Sequence, residues 1–257
     1  MAEKGKLTRE ERDALREGVA EAAAQSAADG WEGVAERVLS LIVPDRQAPV
    51  GRGGFRVSRE VIQEGADSLR KAIGDPSDEE GLLSGLPGAL WRTGIPEARA
   101  VSALLLPGRI AAKDEEGEAK MVDSVAALLR EETSPAVHKI LAEAVSTEVE
   151  AGRDGPWLRA FAEWSGGESP ALRGFGVHLF ASLFARGKTP EKLFEALQLV
   201  KKAIADTDTQ VQGGVIALLG AAARKQKGAV ERFLARYEED GRQEVALVRK
   251  AVQKKLR

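Results

Sequence analysis

Ser134-Pro135-Ala136-Val137-His138-Lys139-Ile140-Leu141-Ala142-Glu143-Ala144-Val145 opens one helix, and Ser169-Pro170-Ala171-Leu172-Arg173 opens another in the same way. A serine able to cap precedes a proline whose missing N–H costs nothing in a first helical turn. Val137, Ile140, Leu141, Ala144, Val145 and Val149 then fall at i, i+3, i+4, i+7, i+8 and i+12, a stripe broad enough to meet two neighbouring helices. The opening recurs along the chain. Pro96, Pro135, Pro170, Thr209 and Gln243 each start an apolar-periodic segment, at spacings of 39, 35, 39 and 34 residues, and each interval has room for one further helix. That period marks a two-helix repeat stacked into a solenoid.

Working outward, the flanking segments repeat the pattern. Leu172, Phe175, Leu179, Phe180, Leu183 and Phe184 make the most apolar helix, followed by Leu193, Leu197, Val200 and Ile204. Trp157, Phe161 and Trp164 line a short helix before it, as core side chains rather than a base-stacking platform. Further stripes are Val211, Val215, Leu218, Leu219 and Ala222, then Val230, Phe233, Leu234 and Tyr237, and last Val245, Val248, Val252 and Leu256. Towards the N-terminus, Val122, Val125 and Leu129 mark a helix over 120–130, preceded by a charged turn over 113–118. Ile62, Ala66, Leu69 and Ile73 mark another that Ser58 caps, and a short helix is expected over 79–90. Trp31, Val34, Val38, Leu41 and Ile42 give a helix that Pro44 ends, and 7–29 reads as a polar, alanine-rich helix with Thr8 and Glu11 at capping-box spacing. Between these, residues 45–57 carry Pro49, Gly51, Gly53, Gly54, Arg46, Arg52 and Arg56. They predict a mobile basic loop, without the Gly-Lys-Ser/Thr of a phosphate loop.

Composition agrees with an all-α chain and removes several kinds of chemistry. Aromatic residues make up 5% of the 257, and runs of alternating β-branched residues are nearly absent. With no cysteine there is no disulfide, thiolate metal site or cysteine nucleophile, and two histidines make a histidine-rich metal site a poor expectation. No cofactor and no metal are expected. A charged N-terminus and short apolar runs predict a soluble, cytoplasmic protein without a membrane partner, with a monomer as the default. Net charge is −2, yet residues 201–257 hold 13 Lys/Arg against 7 Asp/Glu, so the C-terminal end is basic. Solvated helix faces account for that simply; a phosphate-contacting surface is the sharper reading.

Ala89-Leu90-Trp91-Arg92-Thr93-Gly94-Ile95-Pro96-Glu97-Ala98-Arg99-Ala100-Val101 resembles the Leu-Trp, small linker, Glu-x-Arg and apolar helix run of the bacterial DNA alkylation repair family, whose members are HEAT-like-repeat alkylpurine DNA glycosylases. Residues 157–179 and 210–234 are similar to that family's tryptophan helix and penultimate repeat, and the resemblance runs from about residue 31 to the C-terminus. It implies an all-α, right-handed superhelix of HEAT-like helix pairs, an α-solenoid, over 31–257; the polar helix before it makes 1–30 an expected N-terminal helical cap. Its implied partner is duplex DNA, held in a concave face.

The departures from that family bear on activity. In the family a Trp and, one turn later, an Asp share a helix, and the carboxylate stabilises the cationic sugar formed as the base leaves. Here Pro135 falls near the Trp position and Lys139 near the Asp position; the family's second arginine falls near Gly174 and its later tryptophan near Ala217. A lysine would repel that sugar, and one aimed electrostatic group contributes about 3 to 4 kcal/mol to such a step. The expectation is therefore DNA binding with weak or no glycosylase activity, and no catalytic residue is assigned. Arg52, Arg56, Arg99, Arg173 and Lys225 are the candidate phosphate contacts, with an arginine ion-paired to a neighbouring repeat as the equal alternative for Arg99 and Arg173. His138, Lys139 and Glu143 are weaker site candidates, Glu143 or Glu148 as a substitute carboxylate. His178 is expected to be partly buried with a partner. Two other readings stay open: a protein-binding scaffold, and an active glycosylase using an unconventional carboxylate.

Overall fold

The computed structural model describes residues 7–51, 54–73, 83–106, 115–149, 155–187 and 193–256. Among them the secondary structure is all helical: α1 (Arg9–Ala24), α2 (Ser26–Ile42), α3 (Arg59–Ile73), α4 (Gly85–Arg92), α5 (Pro96–Leu105), α6 (Glu115–Glu131), α7 (Pro135–Glu148), α8 (Gly155–Trp164), α9 (Pro170–Arg186), α10 (Leu193–Ala203), α11 (Thr209–Ala235) and α12 (Gln243–Leu256). Contacts divide the chain into two compact units, Met1–Ile110 and Ala111–Arg257.

In the first unit, alternate helices stack: α1 on α3 and α3 on α5 in one row, α2 on α4 in the other. The predicted capping box forms, with Thr8 Oγ1 accepting from the Glu11 N–H and Glu11 accepting from the Thr8 N–H. Despite its polar sequence α1 is anchored. It buries Leu15, Val19, Ala22 and Ala23, and Arg12 and Arg16 pair with Glu60 and Glu64 of α3 at 2.6–3.3 Å. Gly30, at φ 66° and ψ 175°, breaks α2 just before Trp31, a conformation glycine adopts without a Cβ penalty. The described part of the basic loop expected over residues 45–57 contacts its neighbours. Arg46 pairs with Glu36 at 2.6 Å, Phe55 is buried, and Arg56 holds Glu97. Arg52 and residues 79–82 lie outside the described residues; the short helix expected over 79–90 is described as Gly85–Arg92.

The second unit repeats the two rows. α7 packs on α9, α9 on α11 and α11 on α12, while α6 packs on α8 and α8 on α10. Neighbours on several sides explain why α9 is apolar over most of its circumference; Ala171, His178, Ser182 and Ala185 form the strip that stays partly exposed. Phe161 stacks on Phe180 with centroids 5.2 Å apart, and Trp164 meets Phe175 edge-on at 6.0 Å. Trp157 is fully buried and donates its Nε1–H to Glu118 Oε2 at 2.7 Å. The tryptophans of α8 are core, as expected. Described residues 115–118 of the expected charged turn are helical instead, the first turn of α6, and the Glu118 that accepts from Trp157 lies in it. The two helices expected at 211–222 and 230–237 are the two arms of α11, which meet at a kink at Gln226 (φ −137°, ψ 53°).

Candidate nucleic-acid interface

Three of the five predicted phosphate contacts are cations held by the fold. Arg56 donates its backbone N–H to Glu97 Oε1 and its Nη1–H to Oε2 at 3.2 Å. Glu97 itself is fully buried at the start of α5, and an unpaired carboxylate there would be costly. Arg99 donates from Nε to the Trp91 carbonyl at 3.0 Å, and its guanidinium stands 5.3 Å from the Trp91 ring centroid. Arg173 donates from Nε to Asp206 Oδ2 at 2.7 Å and from Nη2 to Oδ1 at 3.3 Å, while Nη1 bonds the Gly167 and Glu168 carbonyls. That two-point pair joins the start of α9 to the α10–α11 connection. Lys225 is exposed and lies over Gly187, the left-handed residue that ends α9, where helix carbonyls favour a cation.

His138 is 1% exposed. Its Nε2 lies 2.9 Å from the Glu132 carbonyl and its Nδ1 meets the Gln210 side-chain amide. Since a carbonyl only accepts and an amide N–H only donates, the ring is neutral with its proton on Nε2. Burial pushes its pKa down, in agreement. Gln210 comes from α11 and crosses α9 at Gly174, where a Cβ would meet Gln210 Cγ at 2.9 Å and Cδ at 3.0 Å. The position near which the family resemblance puts a second arginine is thus occupied by a glutamine in transit. An arginine there would evict it.

Lys139, the next residue, points elsewhere. It lines a cavity of about 440 Å3 with Glu143, His178, Ala217, Arg224 and Lys255. Ala181, Ser182, Ala185, Gly220 and Ala221 complete the wall. All are in the second unit, on α7, α9, α11 and α12. Lys139, Arg224 and Lys255 are exposed. Lys255 lies across α11 at Gly220, where a Cβ would meet its Cδ at 3.0 Å. His178 is held neutral: burial first, and Lys139 second, lower its pKa from 6.5 to about 4. Three cations therefore surround one carboxylate, Glu143. Lys139 and Ala217, at which the resemblance sets the family's acid and later tryptophan, share this cavity. Among the described residues no three His, Asp or Glu side chains are placed to hold a metal ion.

The structure thus brings Lys139, Glu143 and His178 together and keeps His138 out. Arg224 and Lys255 did not emerge from the sequence, because a terminal helix has no sequence signal for the groove it reaches. Gly220 was the available hint, a glycine inside an apolar helix where another chain segment comes close.

The described secondary structure is all helical, and α5, α7 and α9 each open on a proline. The DNA alkylation repair enzyme family model matches residues 57–254, and the chain belongs to that family. It is a DNA alkylation repair-like protein. No curated protein matches the chain significantly. No described helix is long and apolar enough to cross a membrane.

Proposed function

We propose that the chain winds as a right-handed solenoid of HEAT-like helix pairs and binds duplex DNA against the row of α7, α9, α11 and α12, with little or no base excision. The observation that carries this reading is the charge of the α7–α12 cavity: Lys139, Arg224 and Lys255 against Glu143 alone, with His178 neutral. Such a surface attracts phosphate oxygens. It repels the positive sugar of a glycosidic cleavage, so affinity and excision separate. Lys225 extends the cationic face, whereas Arg56, Arg99 and Arg173 maintain the architecture through the partners described above. The test is a duplex carrying methylated purines. Binding that weakens steeply with salt, with the modified bases retained, supports the proposal; release of free base at a rate far above the spontaneous one overturns its catalytic half.

Two specific observations keep other readings in view. Glu143 is the one carboxylate lining the cavity, so a glycosylase with a substitute acid would lose its activity in Glu143→Gln. Phe194 of α10 is 68% exposed beside Arg232, Phe233, Arg236 and Tyr237, a surface suited to a protein partner.

A further inference from the structure

We infer that the groove between α10 and the second arm of α11 docks an acidic amphipathic helix of a partner protein, with its apolar side chains inward and its carboxylates over the basic edges. The groove shares no residue with the α7–α12 cavity, so the inference stands apart from the DNA-binding reading.

Two helical faces build the groove. Phe194, Leu197 and Lys201 fall at i, i+3 and i+7 on α10, and Ala229, Arg232, Phe233, Arg236 and Tyr237 at i, i+3, i+4, i+7 and i+8 from the end of α11 into the turn that follows. They leave about 400 Å3 between them, enough to receive a few apolar side chains. At 1.5 Å per residue each face is about 10 to 12 Å long, which matches two turns of a docked helix.

The apolar part of the groove has an anchor without a cover. Phe194 is 68% exposed, on a helix whose Leu193, Ala196 and Val200 are buried in the core. Half-buried Leu197 and Ala229 stand beside it as walls. Covering these groups with apolar side chains removes them from water, which a polyanion backbone would not do.

Charge sets the kind of helix that fits. Lys201, Arg232 and Arg236 are exposed at the groove, and among the described residues no carboxylate lines it or pairs with any of the three. Arg232 and Arg236, one turn apart, repel each other, and carboxylates brought by a partner relieve that repulsion and fix its register. A nucleic acid would also answer these cations, but the rings are arranged against it. Phe233 is buried and packs at 5.3 Å against Tyr237, so Phe194 is the one exposed ring lining the groove among the described residues. A single strand binds by stacking successive bases on several open ring faces.

The experiment is fluorescence anisotropy of a labelled synthetic peptide titrated with the full chain. The peptide is a helix-forming sequence with leucines at i, i+3, i+4 and i+7 and glutamates flanking them. Control peptides replace every leucine by alanine or every glutamate by lysine, and a labelled oligothymidine is the nucleic-acid probe. The acidic amphipathic peptide should bind with a Kd of about 10 to 100 μM, the weak end of specific contacts, and both control peptides at least about tenfold more weakly. Phe194→Ala, and separately Arg232→Glu with Arg236→Glu, should each weaken binding about tenfold. Thermal melts of both variants should match the wild type, since the three side chains are exposed. The charge-reversed variant should in turn gain affinity for the lysine peptide. Acidic-peptide binding that neither variant weakens overturns the placing of the site. Oligothymidine bound in place of the peptide, and weakened by the same substitutions, overturns the partner class in favour of nucleic acid. A concentration-dependent dimer in sedimentation that Phe194→Ala abolishes gives the groove to a second copy of the chain and overturns the inference too. Binding of none of these probes also overturns it, and every such failure leaves the affinity of the α7–α12 cavity for duplex DNA to be judged by its own measurement.

Discussion

Mild acid should destabilise the protein, and His178 sets a calculable share of the loss. In the folded chain burial and Lys139 hold its pKa at about 4, against an ordinary value of 6.5. Between those two values the unfolded chain binds a proton that the folded chain refuses. Stability is therefore complete above the unfolded value and falls as pH drops towards the folded one. Titrating one site with those two pKa values from about pH 8 to about pH 5 removes about 2 kcal/mol, with most of the loss below pH 6. His138, also lowered by burial, acts in the same direction. Stopping near pH 5 keeps ordinary carboxylates largely ionised, so the histidines dominate the window. The assay is urea unfolding across this range for the wild type and His178→Asn. The wild type should lose about 2 kcal/mol more than the variant. Identical pH dependence in the two proteins would refute the placing of His178 as a buried neutral ring, and with it the charge assigned to the cavity.

Three further outcomes follow from individual contacts. Asp206→Ala leaves Arg173, 17% exposed, without its two-point partner, and should lower stability by about 2 to 3 kcal/mol in denaturant unfolding; no loss would return Arg173 to the pool of cations available for phosphate. Glu97→Ala removes the fully buried partner of Arg56 and should cost about 3 kcal/mol, read as a drop in Tm. Gly174→Ala sets a methyl group against Gln210 and should cost about 1 kcal/mol net of the gain in helix propensity. It should also shift the His138 ring resonances in NMR, and unshifted resonances would mean that Gln210 does not depend on the glycine.

Much of the architecture was readable from periodicity, since each helix must bury one face and each proline start is compatible with a single helical position. Pro96, Pro135 and Pro170 are all first residues of helices, and Thr209 and Gln243 open α11 and α12. Less was legible where a polar group decides the outcome through a distant partner. Nothing in the spacing of Arg56 and Glu97, 41 residues apart, announces a buried pair. Nor could a histidine near a helix start be told from a surface one until Gln210, 72 residues away, was seen to reach it through the notch at Gly174. The candidate site divides in the same way. Lys139 and Glu143 share one face of α7 and are visible together in sequence, whereas Arg224 and Lys255 enter only through the stacking of α11 and α12.

The central claim is that cations gathered by four stacked helices contact the phosphates of a duplex. Its most direct test compares the salt dependence of duplex affinity for the wild type and for a variant with Lys139, Arg224 and Lys255 all changed to alanine. Each lost phosphate contact lowers the log–log slope by about 0.9, so a slope shallower by about 2.7 and much weaker binding at low salt are predicted. Unchanged slope and affinity would contradict the account and move any DNA surface away from this cavity.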